Sequence, residues 1–236
     1  MAARKKISRP LKWAIVILSL AAAGWIYIEI VNRNSVNMNF RQKLLKAVYP
    51  ALLTWNKITG RKSTVLANDQ SQQVNPRSFY DLKTPMNNGQ EFDFNTLRGK
   101  KVLLVNTASN CGYTAQYDDL QHLYEQYKDK LVIIGFPAND FKEQEKGSDK
   151  EIEEFCRLNF GVTFPLAKKS SVLKGEEQNK VFQWLTDKNL NGWNTQPPTW
   201  NFSKYLVNEA GTLTHYFDPA VSPVSEQVVK AVSDKP

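Results

Sequence analysis

The residues from Lys101 to Phe136 read KVLLVNTASNCGYTAQYDDLQHLYEQYKDKLVIIGF, and they decide the fold of this chain. The stretch opens with KVLLVN (Lys101–Asn106) and closes with LVIIGF (Leu131–Phe136), two short, largely apolar segments rich in branched residues. Such segments are typical of central strands buried on both faces. Between them, Tyr113–Tyr127 carries apolar residues at helical spacing. This order predicts strand, helix and strand, with the two strands parallel in one sheet.

The flanking sequence supplies the rest of the sheet and its covering helices. Asn87-Asn88-Gly89 is a turn signal between Phe79–Leu82 and Glu91–Phe94, which predicts a hairpin. Further helices are predicted over Asp149–Leu158 and Glu176–Leu185, and further strands over Tyr205–Asn208 and Leu213–Phe217. The predicted fold class is therefore α/β, with a central mixed sheet flanked by helices.

Charge divides the chain into two unlike parts. The 236 residues have a formal net charge of +8, which by itself would suggest a nucleic acid partner. Residues 1–62, however, hold twelve Lys and Arg against one acid, while residues 63–236 hold nineteen against twenty-two. The basic character belongs to the N-terminal quarter, so nucleic acid is not expected as a partner. Two cysteines are too few for a disulfide scaffold or a four-cysteine zinc site.

An apolar run near the N-terminus predicts a membrane-spanning helix. Trp13–Val31 (WAIVILSLAAAGWIYIEIV) is interrupted only by Ser19 and Glu29. Its nineteen residues would rise about 28 Å as a helix, enough for a hydrocarbon core of about 30 Å. A cleaved signal peptide has similar flanks, and Ala21–Ala23 resembles its cleavage site. Because the apolar run continues well beyond those alanines, we expect an uncleaved transmembrane anchor over residues 13–31.

The distribution of basic residues predicts which way the anchor points. Residues 1–12 carry five bases, whereas residues 32–39 carry only Arg33. Positive charge is retained on the cytoplasmic side of single spans. We therefore expect a cytoplasmic N-terminus over residues 1–12 and a single-pass membrane protein. Its remainder would lie on the non-cytoplasmic, periplasmic side.

Residues 32–77 are predicted to form an amphipathic segment followed by a linker. Apolar residues recur at roughly helical spacing among basic ones, with a candidate break at Pro50: Phe40, Leu44, Leu45, Val48, Ala51, Leu52 and Trp55. Such a segment either lies on the membrane surface near anionic lipid or packs against the domain. Residues 60–77 are polar and lack periodicity, which is typical of a linker. The globular domain is predicted over residues 78–236.

Cys111 is the candidate nucleophile. It follows the strand KVLLVN and the turn Thr107–Asn110, at the predicted start of a helix. Free backbone N–H groups and the positive end of the helix dipole stabilise an anion there, so we expect a depressed pKa for the thiol. A small buried structural cysteine is the alternative, but the polar neighbours Asn110 and Gly112 favour the reactive interpretation.

Neither Cys156 nor the histidines show a catalytic pattern of their own. Cys156 lies in an amphipathic segment 45 residues after Cys111, which excludes a CxxC redox pair and by itself suggests a structural residue. His122 and His215 lie in a predicted helix and strand without companion ligands. We expect both to be ordinary surface or half-buried residues, and we expect no metal and no cofactor.

Four segments resemble the signature segments of the glutathione peroxidase family in order and spacing. They are NTASNCGYT (Asn106–Thr114), GFPANDFKEQE (Gly135–Glu145), FCRLNFGVTFPL (Phe155–Leu166) and WNFSKYLV (Trp200–Val207). The resemblance covers roughly Ser78–Ser225 and implies a thioredoxin-like fold, which agrees with the predicted strand–helix–strand unit. It also implies reduction of hydrogen peroxide and of organic or lipid hydroperoxides.

The resemblance assigns roles to individual residues. Cys111 matches the active-site thiol or selenol, Gln144 the family's glutamine, and Trp200 and Asn201 its tryptophan and asparagine. Their amide and indole N–H groups could stabilise a thiolate and developing oxygen charge. In the cysteine-type branch a second, resolving cysteine matches Cys156, which replaces its structural interpretation. A Cys111–Cys156 disulfide would then require local unwinding around Cys156, because both thiols lie on predicted helices.

The same resemblance suggests partners. The reductant would be a thioredoxin-like protein or glutathione, and the substrate a hydroperoxide, with the membrane contacted through the N-terminal helix. Only 34 residues separate Pro165 from Trp200, which resembles the branch without an oligomerisation insert and implies a monomeric catalytic domain. One alternative is a peroxide sensor that passes its disulfide to a partner protein. Another is a membrane-tethered thiol–disulfide oxidoreductase, against which the lack of a CxxC motif counts.

Overall fold

The computed structural model describes residues 8–59, 63–68 and 76–234. Within those ranges the helices are α1 (Arg9–Val31), α2 (Phe40–Ile58), α3 (Gln116–Tyr127), α4 (Asp149–Phe160), α5 (Lys180–Thr186), α6 (Lys188–Asn191) and α7 (Glu226–Ser233). The strands are β1 (Val65–Ala67), β2 (Lys83–Pro85), β3 (Glu91–Asp93), β4 (Lys101–Thr107), β5 (Leu131–Pro137), β6 (Lys204–Val207) and β7 (Leu213–Phe217). Residues 1–7 of the predicted N-terminal segment lie outside the described residues.

The main sheet is mixed, as predicted. Its strand order is β1-β7-β6-β4-β5, and β4 pairs in parallel with β5. The pairs β4–β6, β6–β7 and β1–β7 are antiparallel. The two-stranded hairpin β2–β3 is separate, and Gly89 supplies the positive φ of 83° that its turn needs. The hairpin confirms the predicted turn, but Phe79–Asp81 forms a short 3₁₀ helix instead of its first strand.

The central strand β4 is buried along its whole length and divides the core into two layers. Leu103 and Val105 pack into the layer that also contains residues of α3, α4 and α7. Val102 and Leu104 pack into the opposite layer, with residues of α5 and the hairpin. Because helices cover both faces, the strand can consist almost entirely of apolar residues. The predicted α/β arrangement is confirmed.

One part of the predicted linker is wrong. Val65–Ala67 forms the edge strand β1, which pairs antiparallel with β7, with Val65 opposite Phe217. A strand of three residues is held mainly by backbone hydrogen bonds and is too short to show an apolar alternation. The chain therefore returns to the sheet before the hairpin. The remaining linker residues 60–62 and 69–75 lie outside the described residues.

Helix α1 has the length and composition of a membrane span. It covers 23 residues and is therefore about 35 Å long. None of the residues in its most apolar stretch is buried against the rest of the protein. Pro10 lies in the first turn, where its missing N–H is tolerated. Such a helix near the N-terminus could be a membrane anchor or a signal sequence.

Helix α2 packs against the globular domain, which was one of the two alternatives considered for this segment. It begins with a capping box between Asn39 and Gln42 and runs without a break through Pro50. Lys46 Nζ donates to Asn159 O at 2.9 Å, and the Tyr49 hydroxyl donates to Asp119 Oδ2 at 3.3 Å. These contacts join α2 to α3 and to the end of α4.

Gly135→Ala should destabilise the fold, because the buried Leu166 side chain packs against β5 at the position that a Cβ would occupy. A Cβ at Gly135 would lie 2.7 Å from Leu166 Cδ2. We expect a loss of about 1–3 kcal/mol in the free energy of unfolding, the usual range for overpacking. Gly175→Ala is the matched control, since nothing lies within 4 Å of its position. Equal urea-unfolding midpoints for the two variants would contradict this account.

Candidate active site

Cys111 lies in a turn between β4 and α3. Helix α3 begins at Gln116, five residues later, so the thiol is not in the first helical turn as we had predicted. The Thr114 hydroxyl holds the turn: it accepts from the Cys111 N–H at 3.0 Å and lies 2.8 Å from the Ala108 carbonyl, to which it can donate. The thiol itself is fully buried.

Backbone and side-chain donors surround the Cys111 sulfur. The Tyr113 N–H donates to Sγ at 3.4 Å. The Trp200 indole, the Asn201 amide and the Gly112 N–H also lie close enough to lower the pKa of the thiol. Cys111, Trp200 and Asn201, predicted from separate sequence segments, are thus brought together.

The expected depression of the thiol pKa is nevertheless wrong. Burial is the largest influence and raises the pKa of Cys111 above its ordinary value, and the four donors only partly oppose it. The local sequence suggested a helix terminus but could not reveal how completely the surrounding core excludes water from the sulfur. In the reduced structure the proton is therefore held on Cys111 more firmly than on an exposed cysteine.

Gln144 contacts the site through Asn201. Asn201 Nδ2 donates to Gln144 Oε1 at 3.0 Å, and the Asn110 N–H donates to the Gln144 carbonyl at 3.1 Å. Gln144 therefore orients the amide beside the sulfur and ties its loop to the Cys111 turn. Asn201 Oδ1 is buried and has no hydrogen-bond partner among the described residues, so it can accept a hydrogen bond from a bound group.

Asn106, the polar residue near the end of β4, positions this arrangement and was not singled out in the sequence. Its Nδ2 donates to Trp200 O at 3.1 Å, and its Oδ1 accepts from Ser203 N at 3.0 Å. Phe202, between them, has a φ of 69°, an unusual conformation for a bulky residue. A polar side chain directly after the apolar run Val102–Val105 of a buried strand was the signal that could have identified Asn106.

Cys156 is buried in the middle of α4. Its thiol is free, as is that of Cys111, and both belong to the same core layer. Burial, followed by the charges of Glu145 and Glu153, raises the pKa of Cys156 to about 12, while the nearby Tyr117 hydroxyl lowers it. The Tyr117 hydroxyl forms no well-aligned hydrogen bond there. The two cysteines thus share a layer, but Cys156 is held in a regular helix.

Glu145, next to Gln144, is a buried carboxyl group that the sequence analysis did not single out. The Ser109 hydroxyl donates to its Oε2 at 3.0 Å, and its own N–H donates to Asn139 Oδ1. Burial raises the pKa of Glu145 to about 7, against the lowering effects of Ser109 and Lys169. The group can therefore change its charge near neutral pH beside the active-site loop.

The histidines lie where they were predicted and take no part in this site. His122 is exposed on α3, and His215 is half-buried on β7, where its ring stacks on Phe217 at 5.4 Å. Within residues 8–59, 63–68 and 76–234, no group of three or more His, Cys, Asp or Glu is placed to hold a metal ion. The chemistry available at the site is that of a thiol among N–H donors.

Comparisons with known proteins agree with this arrangement. The family model for glutathione peroxidase matches residues 79–186. The "Glutathione peroxidase-like peroxiredoxin 2" of Saccharomyces cerevisiae is 43% identical over 67% of this chain and 98% of its own length. The "Glutathione peroxidase-like peroxiredoxin GPX5" of Chlamydomonas reinhardtii is 47% identical over 64% of this chain and 93% of its own. The crystal structure of Trgpx in apo form covers 66% of this chain and 96% of its own, at 31% identity and a TM-score of 0.51.

The fold and the site define a thiol-dependent peroxidase, an oxidoreductase with a thioredoxin-like fold. The relatives are matched over nearly their whole length, whereas about a third of this chain has no counterpart in them. The chain belongs to the glutathione peroxidase family, in its cysteine-type branch.

Trp200→Phe should raise the pKa of Cys111 further, because it removes an indole donor that favours the thiolate. In a Cys156→Ser background, we expect slower alkylation by iodoacetamide at neutral pH and a titration midpoint moved to higher pH. Trp193→Phe is the matched control, since its indole donates to Leu213 O instead. The same midpoint for Trp200→Phe as for the parent would show that the indole does not act on the sulfur.

Glu145→Gln should flatten the pH dependence of stability. The folded-state pKa is about 7 against an ordinary value of 4.5, so between these values only the folded state holds the proton. Stability should fall as pH rises through that window, by an order of 2–3 kcal/mol at most. Urea-unfolding midpoints of the parent and of Glu145→Gln, measured between pH 4.5 and 8, isolate the contribution of Glu145. The contributions of all other titrating groups are the same in both proteins and cancel. Parallel curves would contradict the assigned pKa.

Proposed function

We propose that this chain is a membrane-anchored two-cysteine peroxidase that reduces hydrogen peroxide and organic or lipid hydroperoxides. The observation that carries the proposal is the convergence of Trp200 and Asn201 on the Cys111 sulfur, with Gln144 bonded to Asn201. Cys111 is the peroxidatic residue and Cys156 the resolving residue. The response to oxidative stress is the setting that such an activity serves.

In the first step the Cys111 thiolate attacks one oxygen of the O–O bond. An S–O bond forms, the O–O bond breaks, and the leaving oxygen takes up a proton to depart as water or an alcohol. The thiol proton must leave the sulfur before or during attack, because burial favours the protonated form. Asn201 Oδ1, a buried acceptor, can accept a hydrogen bond from the hydroperoxide O–H, while the indole and amide N–H groups stabilise negative charge. The proton that the thiol loses balances the one that the leaving oxygen takes up.

In the second step the Cys156 thiol attacks the sulfenic sulfur of Cys111, and a disulfide and water are formed. Cys156 is buried in α4, so this step requires the helix to unwind locally and release its thiol. A dithiol reductant then reduces the disulfide by exchange and becomes oxidised. The presence of a second cysteine in the same core layer favours a thioredoxin-like protein as reductant, with glutathione as the alternative.

The same proposal places the enzyme at a membrane. α1 serves as an uncleaved single-pass anchor, and the contacts of its final turns with α2 favour retention over cleavage: the Tyr27 hydroxyl donates to Ala47 O, and Asn32 Nδ2 donates to Lys43 O. Because basic residues cluster before α1, the catalytic domain would lie on the non-cytoplasmic, periplasmic side. The domain would act as a monomer.

Replacing each cysteine should separate the two steps. Cys111→Ser should abolish peroxide reduction, because the attacking sulfur is lost. Cys156→Ser should reduce one equivalent of peroxide and accumulate a sulfenic acid that dimedone traps. The measurement is peroxide consumption by the full chain in detergent, with thioredoxin or glutathione as donor.

The exposed residue His122 offers a control, and His122→Ala should turn over at the parent rate. Normal recycling of Cys156→Ser by thioredoxin would show that Cys156 is not the resolving residue. Slow turnover of the parent, with efficient transfer of its disulfide to one partner protein, would instead identify a peroxide sensor.

A further inference from the structure

Helix α2 carries an exposed apolar face in addition to the side that packs on the domain. Five large apolar side chains point away from the domain, with exposures of 53%, 36%, 42%, 65% and 75% for Phe40, Leu44, Val48, Trp55 and Ile58 respectively. At 100° per residue these five positions fall within one sector of about 80°. They are called the apolar face of α2. A surface helix normally buries such a stripe against the core.

The side of α2 that contacts the domain combines the buried Ala47 and Tyr49 with several polar contacts. Gln42 Nε2 donates to Ser109 O at 3.2 Å, and Lys46 forms an ion pair with Asp118 at 3.8 Å. Lys46 also lies over the Phe160 ring, 4.4 Å from its centroid. Hydrogen bonds and charges therefore attach the domain to α2, and the apolar face is left for another surface.

The position of α2 along α1 indicates what that surface is. Side-chain contacts between the two helices involve the C-terminal end of α1: Trp25 stacks on Phe40 at 5.7 Å, and Glu29 pairs with Lys43 at 3.3 Å. Residues 13–31 of α1 rise about 28 Å, close to the thickness of a hydrocarbon core, and Glu29 lies in the last turn of that span. The Glu29–Lys43 pair thus marks the level at which α1 would leave the bilayer.

The composition of the surroundings fits a lipid headgroup region. Trp25 and Trp55 are exposed aromatic residues of the kind enriched at membrane interfaces. Arg33 and Arg41 are exposed beside them and can pair with anionic headgroups. The exposed surface of α1 continues through Trp25 and Phe40 onto the apolar face of α2.

We propose that α2 is a two-sided interfacial helix, whose apolar face lies in the lipid headgroup region while its opposite side holds the catalytic domain. Gln42 contacts Ser109, two residues before Cys111. The active-site loop is therefore held about one helix diameter, roughly 10 Å, from the bilayer surface. This inference rests on the proposed anchoring by α1 and adds the surface on which the domain sits.

Nitroxide labels on the full chain test this proposal without using enzyme activity. In a Cys111→Ser/Cys156→Ser background, Val48→Cys and Trp55→Cys place labels on the apolar face. The neighbouring Thr54→Cys is the control, about 100° from Trp55 and about 40° outside the edge of that face. The protein is placed as single copies in nanodiscs of phosphatidylcholine and phosphatidylglycerol. Collision rates with oxygen, which concentrates in lipid, are compared with those of a water-soluble nickel chelate.

The labels at Val48 and Trp55 should show an oxygen-to-nickel collision ratio several-fold higher than the label at Thr54. Equal, water-like ratios at all three positions would overturn the proposal, and would be the outcome if the apolar face binds a second copy or another protein. A label at Ile17→Cys, exposed on α1, separates the two proposals. If the label at Ile17 shows a lipid-like collision ratio and the label at Trp55 a water-like one, the transmembrane anchor is supported and the interfacial helix is contradicted. A chain absent from the discs would overturn both.

Discussion

The site depends on β4 being paired on both edges and buried on both faces. β5 lies along one edge and β6 along the other, so the end of β4 is fixed in position before the chain turns to Cys111. Asn106 lies at this fixed end of β4. Its side chain bonds to Trp200 O and Ser203 N and thereby fixes the segment that carries the indole and amide donors. One strand therefore positions both the thiol and the groups around it, although they are 90 residues apart.

The same pairing holds a strained segment at the site. Phe202 has a φ of 69° and is fully buried, a conformation that costs of order 1 kcal/mol or more for such a residue. The cost is offset by specific bonds: the Phe202 N–H donates to Asn106 O, and the buried Lys204 ammonium donates to Phe202 O. Burial lowers the pKa of Lys204 to about 7. The positions of Trp200 and Asn201 are thus maintained by buried polar contacts.

Sequence patterns predicted the parts of the structure that depend on local periodicity. β4 and β5 follow from continuous branched runs, and α4 from its amphipathic spacing. Two features depend on distant residues and were missed. β1 exists because β7 offers an open edge, and the Cys111 pKa is raised because remote segments bury the sulfur. Cys111 was singled out by its position after β4, whereas Gln144, Trp200 and Asn201 were found only through a family resemblance, since no periodicity links them.

The proposed resolving step and the contacts between the domain and α2 are physically linked. The last turn of α4 is held by the N-terminal segment, since Asn159 accepts from Val36 N through its side chain and from Lys46 Nζ through its carbonyl. Unwinding α4 far enough to release Cys156 would disturb the helical bonds next to these contacts. Fewer contacts at Asn159 would ease that unwinding and weaken the attachment of the domain to α2. Stronger bonds at Asn159 would therefore attach the domain more firmly to α2, but would make it harder to release Cys156, the proposed resolving cysteine.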